Sequence, residues 1–419
     1  MWRLSSILLL LILASPSRGV PQASLRHLHA SFAVRLYRAL ADGRPDANAV
    51  VSPAGVAASL GLLQLGARGT TLAQLEGSLG YDLNDVEVRE PLLQWRWQEN
   101  NGSGAGAGLQ QTCVLLVQSG VHLAGDFLHN SATWAHVTVM PANFSLLLDH
   151  SRQSPGRTGF PRPDEAWPLQ AGSSSGEPSG SGEGQQGAES AAARWGGGLQ
   201  MALVNRVVFK GVWQQQFSFS STLNLPFVLA DGTAIKVPMM HQATQVGFGE
   251  FRAGSEHRYA VLELPYLSPY LSLQVVLPRD KKTPLSSLET QLSVGHMTSW
   301  EAGLKRTKMD VFLPRFNLRN NFNLRWSLPV LGLTHLFSPA HANFSAMSHD
   351  AVYVSDAIHD VAIQVTEDGT KAAAATAMVL LKRSRAAVFK VDRPFLFLLR
   401  HMRTGSILFI GRVMNPSEL

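Results

Sequence analysis

Asn48-Ala-Val-Val-Ser-Pro53 leads through Ala54 and Gly55 into Val56-Ala-Ala-Ser-Leu-Gly-Leu-Leu-Gln-Leu65, and then Gly66-Ala-Arg-Gly-Thr70. Ala49-Val-Val51 has the apolar, β-branched character of a short buried strand. Ser52 offers a side-chain acceptor to the free amides of a helix start, and Pro53 occupies the first helical position, where its missing N–H costs nothing. The helix they open, Val56 to Leu65, is apolar on almost every face, so other elements must enclose it. Gly66 to Gly69 ends it, and Thr71 with Gln74 has the spacing of a capping box. Upstream, Leu28, Phe32, Leu36, Tyr37 and Leu40 recur at helical spacing and predict an amphipathic helix.

The chain has 419 residues, 45% hydrophobic and 16% charged, a balance that supports a large buried core. Length alone allows one large domain or two or three ordinary ones. Residues 1 to 19 join a basic start at Arg3 to the apolar run Ile7 to Ala14 and small residues up to Gly19, the pattern of a cleaved secretory signal. No later stretch has the roughly 18 apolar residues of a spanning helix, so the reading is a soluble, exported protein with no membrane partner. Cys113 is the only cysteine, which excludes an intrachain disulfide, and its strand-like flanks predict an inert buried thiol. Asn-x-Ser sequons at Asn101, Asn143 and Asn343 accord with glycosylation of an exported chain. A net charge of +6 raises heparin or another polyanion as a partner. The basic residues are scattered, and Lys281-Lys282 and Lys305-Arg306-Thr307-Lys308 are the short clusters; no nucleic-acid motif occurs.

From residue 111 the pattern predicts strands, Thr112 to Gln118 and Trp134 to Met140. Residues 153 to 198 exchange aliphatic residues for Gly, Ser, Pro, Glu and Gln; such a stretch cannot offset its ordering entropy by burial and predicts a disordered insertion. Strand patterning resumes at Leu199, with helical stretches near 285 to 303 and 321 to 332, and closes on an apolar hairpin, Phe395 to Leu399 and Ile407 to Ile410. No nucleophile elbow, zinc-protease helix, P-loop or dinucleotide-binding turn is present. His27, His29, His335, His341, His349 and His359 lack a convincing partner set for a metal. Neither catalysis nor a cofactor is expected.

With these residues in place, the chain resembles the serpin family. Asn48 to Pro53 with Leu65 to Thr70 is similar to its strand 6B, helix B and helix C signature. Leu203-Val-Asn-Arg-Val-Val-Phe-Lys-Gly-Val-Trp213 resembles its strand 3A and breach. Leu262 to Tyr266, Val311 to Phe316, Ile358-His359 with Glu367 to Thr370, Asp392 to Phe397 and Gly411 to Pro416 follow in family order. The C-terminal run and an arginine bait place the resemblance in clade E, the group of plasminogen activator inhibitors and glia-derived nexin. It implies an α+β fold with three β-sheets, eight or nine helices and an exposed reactive-centre loop at about 367 to 390, in one domain over 20 to 419. Helix F, with its Ile-Asn-x-Trp-Val pattern, is not recognisable in residues 153 to 198.

In this family a protease cuts the loop and the loop then inserts into sheet A as a new strand. The hinge residues implied here are Glu367, Gly369, Thr370, Ala372 and Ala374, proline-free and small on the face that Thr370, Ala372 and Ala374 share. The family's spacing from Gly369 places the reactive bond at Arg383-Ser384, which suits a trypsin-like serine protease as partner. Ser52, Asn205 and His359 correspond to the shutter, where the sheet opens, and Trp213 to the breach, where the loop enters. Gly55 stands where the family usually has serine. The expected function is that of a secreted, monomeric suicide-substrate inhibitor, with a non-inhibitory carrier or binding scaffold as the alternative.

Overall fold

A computed structural model describes residues 22–43, 45–83, 89, 108–135, 138–144, 199–254, 257–367 and 387–418. The order begins α1 (Gln22–Ala41), β1 (Ala49–Val51), α2 (Pro53–Gly66), α3 (Gly69–Leu79). Ser52 caps α2 as expected, its Oγ accepting from Gly55 N at 3.2 Å, and nearly the whole helix is buried. The capping box does not form. α3 starts at Gly69 without a side-chain cap. Thr71 Oγ1 instead accepts from Asn343 N at 3.0 Å, and Gln74 Oε1 accepts from Thr334 N and His335 N at 3.0 and 2.9 Å. A distant loop has taken both side chains, because its own amides needed acceptors.

Next come β2 (Leu109–Gln118), α4 (Gly125–Ala135), β3 (Thr138–Ala142) and β4 (Leu199–Lys210). Trp134, expected in a strand, lies in the last turn of α4. Phe127, Ser131 and Trp134 are its buried face, at helical spacing, and the Trp134 indole donates to Ala58 O at 3.0 Å. The chain continues with β5 (Leu223–Val228), β6 (Ala234–Ala253), β7 (His257–Pro265), β8 (Leu271–Pro278), α5 (Ser286–Glu289), α6 (Val294–Gly303), β9 (Lys305–Pro314) and β10 (Phe316–Asn323). It ends with β11 (Val352–Val365), β12 (Ala387–Lys390), β13 (Phe395–His401) and β14 (Ile407–Val413). The stretch expected to be helical at 321 to 332 is the end of β10 followed by a short 3₁₀ turn, Leu328–Leu331. Phe316 and Leu318 alternate with exposed neighbours, and pairing with β11 carries that period on to Asn323.

The strands form two hydrogen-bonded sheets. One runs β1-β14-β13-β8-β7-β6-β9-β12, with β5 also on β6; the other runs β10-β11-β4-β2-β3. Two of the three expected sheets are continuous here, since the 20-residue β6 pairs with β5 and β9 in its first part and with β7 in its last. Six α-helices fall among the described residues. In β13, Phe395, Phe397 and Leu399 pack between the sheets against Phe209, Phe316 and Ile363, while Leu396 and Leu398 pack under the helices with Phe32 and Leu60. That two-sided burial is why β13 and β14 read as unbroken apolar runs. Cys113 is buried, 3.4 Å from Ser59 Oγ. Residues 1 to 19 and 153 to 198, with the expectations attached to them, lie outside the described residues.

Candidate functional site: the seam between β4 and β11

In the five-stranded sheet, β4 and β11 are direct neighbours and run parallel, with Asn205 opposite His359 and Lys210 opposite Gln364. Parallel strands leave a sheet at the same end. β4 continues there to Trp213, and β11 to Thr366 and Glu367, where the described chain stops until Ala387. A segment folding back from Glu367 would run antiparallel to both strands. A strand laid between them in that direction would meet an antiparallel partner on each side.

Midway along the seam the three shutter residues meet. Ser52 N donates to His359 Nε2 at 3.1 Å, so Nε2 is the acceptor, and Nδ1 carries the proton and donates to Asn205 Oδ1 at 3.0 Å. The latch ties the start of α2 to both strands. Burial holds the His359 imidazole down at about 3, an effect the contact with Asn205 only partly offsets, so it stays neutral over the physiological range. Asn205 Nδ2 is buried without a partner. A Cβ at Gly55 would lie 2.6 Å from Val207 Cγ2 and 3.0 Å from Asn205 Oδ1. The glycine therefore lets α2 approach β4 more closely than any side chain at that position would allow.

At the end of the seam, Trp213 is 2% exposed and stacks on Tyr266 at 4.3 Å between centroids, with Phe217 edge-on. Its indole donates to Thr366 O at 2.8 Å, joining the segments that follow β4 and β11. Burial also raises the Tyr266 hydroxyl above its ordinary range. Glu367, at 1% exposure, accepts from Thr222 Oγ1 at 2.8 Å and faces the Arg315 guanidinium at 3.7 Å. The structure thus brings Ser52, Asn205 and His359 together, and sets Trp213 beside Glu367 as a second cluster. Gly369, Thr370, Ala372, Ala374, Arg383, Ser384 and Asn101 lie outside the described residues. Asn143 and Asn343 are exposed. Sequence reasoning assigned no role to Thr222, Tyr266 or Arg315, although the last two stand in motifs already noticed.

One polar latch midway along the seam and one aromatic clasp at its end thus join β4 and β11 in this two-sheet α+β fold. The family model described as Serpin (serine protease inhibitor) matches residues 27–153 and 197–416. This chain belongs to the serpin family, whose members are not enzymes. It is 47% identical over 407 residues to a Danio rerio protein described as "Probable serpin E3", covering 96% of this chain and 95% of that one. It is 32% identical over 400 residues to plasminogen activator inhibitor 1 of Bos taurus, covering 94% of each. A crystal structure of native protease nexin-1 with heparin superposes with a TM-score of 0.75 at 27% identity, covering 94% of this chain and 100% of the other. Among the described residues no helix is long and apolar enough to cross a membrane.

Proposed function

We propose that the chain is a secreted, monomeric inhibitor of a trypsin-like serine protease that works by suicide-substrate trapping. The protease's serine would attack the carbonyl of Arg383 and expel the amine of Ser384, leaving an ester-linked loop. The loop from Glu367 to Arg383 would then fold back into the seam before water reaches that ester, drawing the protease with it. Each new ladder bond contributes about 1 kcal/mol net, so the summed gain is large beside the cost of opening one latch. The observation that carries this reading is the parallel β4–β11 pair with Glu367 at the end of its seam. Its similarity to plasminogen activator inhibitor 1 supports the same mechanism. The exposure of Asn143 and Asn343 supports glycosylation and export.

Mixing the mature chain with a trypsin-like protease tests the proposal. A complex that survives sodium dodecyl sulfate and a new N-terminus at Ser384 are expected, and Arg383→Ala should abolish the complex. Turnover of the chain as a plain substrate, with no stable complex, would instead favour the carrier reading.

A further inference from the structure

Beside the end of the seam, a cleft of about 630 Å³ is walled by β6, the start of β9, the end of β7 and the segment from Trp213 to Gln215. That volume falls within the range of sites for small molecules, about 300 to 1,000 Å³. Its lining is polar: Gln214, Gln215, Gln242 and Gln245 present carboxamides, and Arg306 and Lys308 present cations. Arg306 and Lys308 alternate along β9, so they share a face, and Gln245 lies directly across from Lys308. Among the described residues no acidic side chain lines the cleft and neither cation has an ion-pair partner. The nearby Glu263 carboxylate is engaged by Ser272 and Gln274, both at 3.0 Å.

The amides are partly committed and partly open. Gln215 accepts from Thr244 Oγ1 at 2.6 Å and spans the gap to Ala243 O. Gln242 is 8% exposed and its Oε1 has no partner. A turn about its terminal torsion would offer that acceptor, or the amide's donors, to a ligand. By contrast, Lys281 of the other short basic cluster is already paired with Asp392 at 3.0 Å.

We infer that this cleft binds an anionic, hydroxyl-rich ligand of about disaccharide size. Arg306 and Lys308 would take its charged groups, and the glutamine amides its hydroxyls. The inference does not depend on the inhibitor reading. Calorimetric titration with a sulfated disaccharide, its unsulfated form and inorganic sulfate separates the contributions. The sulfated sugar should bind with one-to-one stoichiometry, and the other two at least about tenfold more weakly, since each lacks one half of the recognition. Arg306→Ala with Lys308→Ala should weaken binding about tenfold or more, and Gln242→Met by a few fold. Lys281→Ala with Lys282→Ala should leave it unchanged. Arg306 and Lys308 are exposed, so unliganded melting temperatures should match the parent and separate lost binding from lost fold. No binding of the sulfated disaccharide at millimolar concentration, or equal losses in both double variants, would overturn the inference.

Discussion

Replacing His359 by alanine tests how the seam is held shut. The imidazole is fully buried, accepts from Ser52 N and donates to Asn205 Oδ1. Its removal leaves a backbone N–H and a side-chain carbonyl unpaired in a dry site, and Asn205 Nδ2 has no partner to begin with. Each stranded group costs about 1–3 kcal/mol, so the pair costs about 2–6 kcal/mol before any cavity is counted. At about 2.1 cal/mol/K of unfolding entropy per residue, that loss lowers the melting temperature of a chain of this size by roughly 2–7 °C. Differential scanning calorimetry of the uncleaved protein would measure it. Asn205→Ala should cost less than His359→Ala, because it removes one unsatisfied group while creating another. A melting temperature within about 1 °C of the parent for His359→Ala would refute the latch as drawn.

Further outcomes follow from the same geometry. His359 and His401 are held down by burial, to about 3 and about 4, His401 also by the nearby Arg403 and Arg26. Their folded-state values lie below the unfolded 6.5, so the stability they contribute is complete above pH 6.5 and is lost as pH falls toward those values. Between pH 7 and pH 5, urea unfolding should show stability declining, and His359→Gln should remove about 2 kcal/mol of that decline. An equally steep decline in the variant would contradict the assignment. Trp213→Ala should destabilise by about 3–5 kcal/mol, since a buried indole loses both its stack on Tyr266 and its bond to Thr366. Equilibrium unfolding unchanged by this substitution would rule out the clasp. Glu367→Gln should cost under about 1 kcal/mol, because the half-exposed Arg315 contributes little and an amide oxygen can still accept from Thr222. Glu367→Ala should cost about 1–3 kcal/mol, and the order of the two in thermal shift checks which partner matters.

What could be read from the sequence was mostly local chemistry. Ser52 and Pro53 announce α2 because capping depends only on neighbours in the chain, and β13 and β14 announce themselves because burial on both faces leaves no polar alternation. Trp134 reads as strand because the end of an amphipathic helix runs into β3, and the joined stretch resembles alternation. Thr71 and Gln74 fit a helix start, yet amides at 334, 335 and 343 took their oxygens, a tertiary claim that no local rule foresees. The shutter residues are legible only through the family resemblance. Asn205 and His359 are 154 positions apart, and their meeting depends on a parallel register that periodicity does not specify. The partnership of Glu367 with Thr222 lay equally out of reach, since it joins the end of one sheet to a turn leading into the other.

The central claim is that the β4–β11 seam accepts the segment beyond Glu367 as a new strand. Thermal unfolding of the intact chain and of the chain cleaved at Arg383 measures this most directly. Some ten or more added ladder bonds, at about 1 kcal/mol each, should raise the transition on the order of 10 °C after cleavage. An unchanged or lowered transition in the cleaved chain would contradict the account.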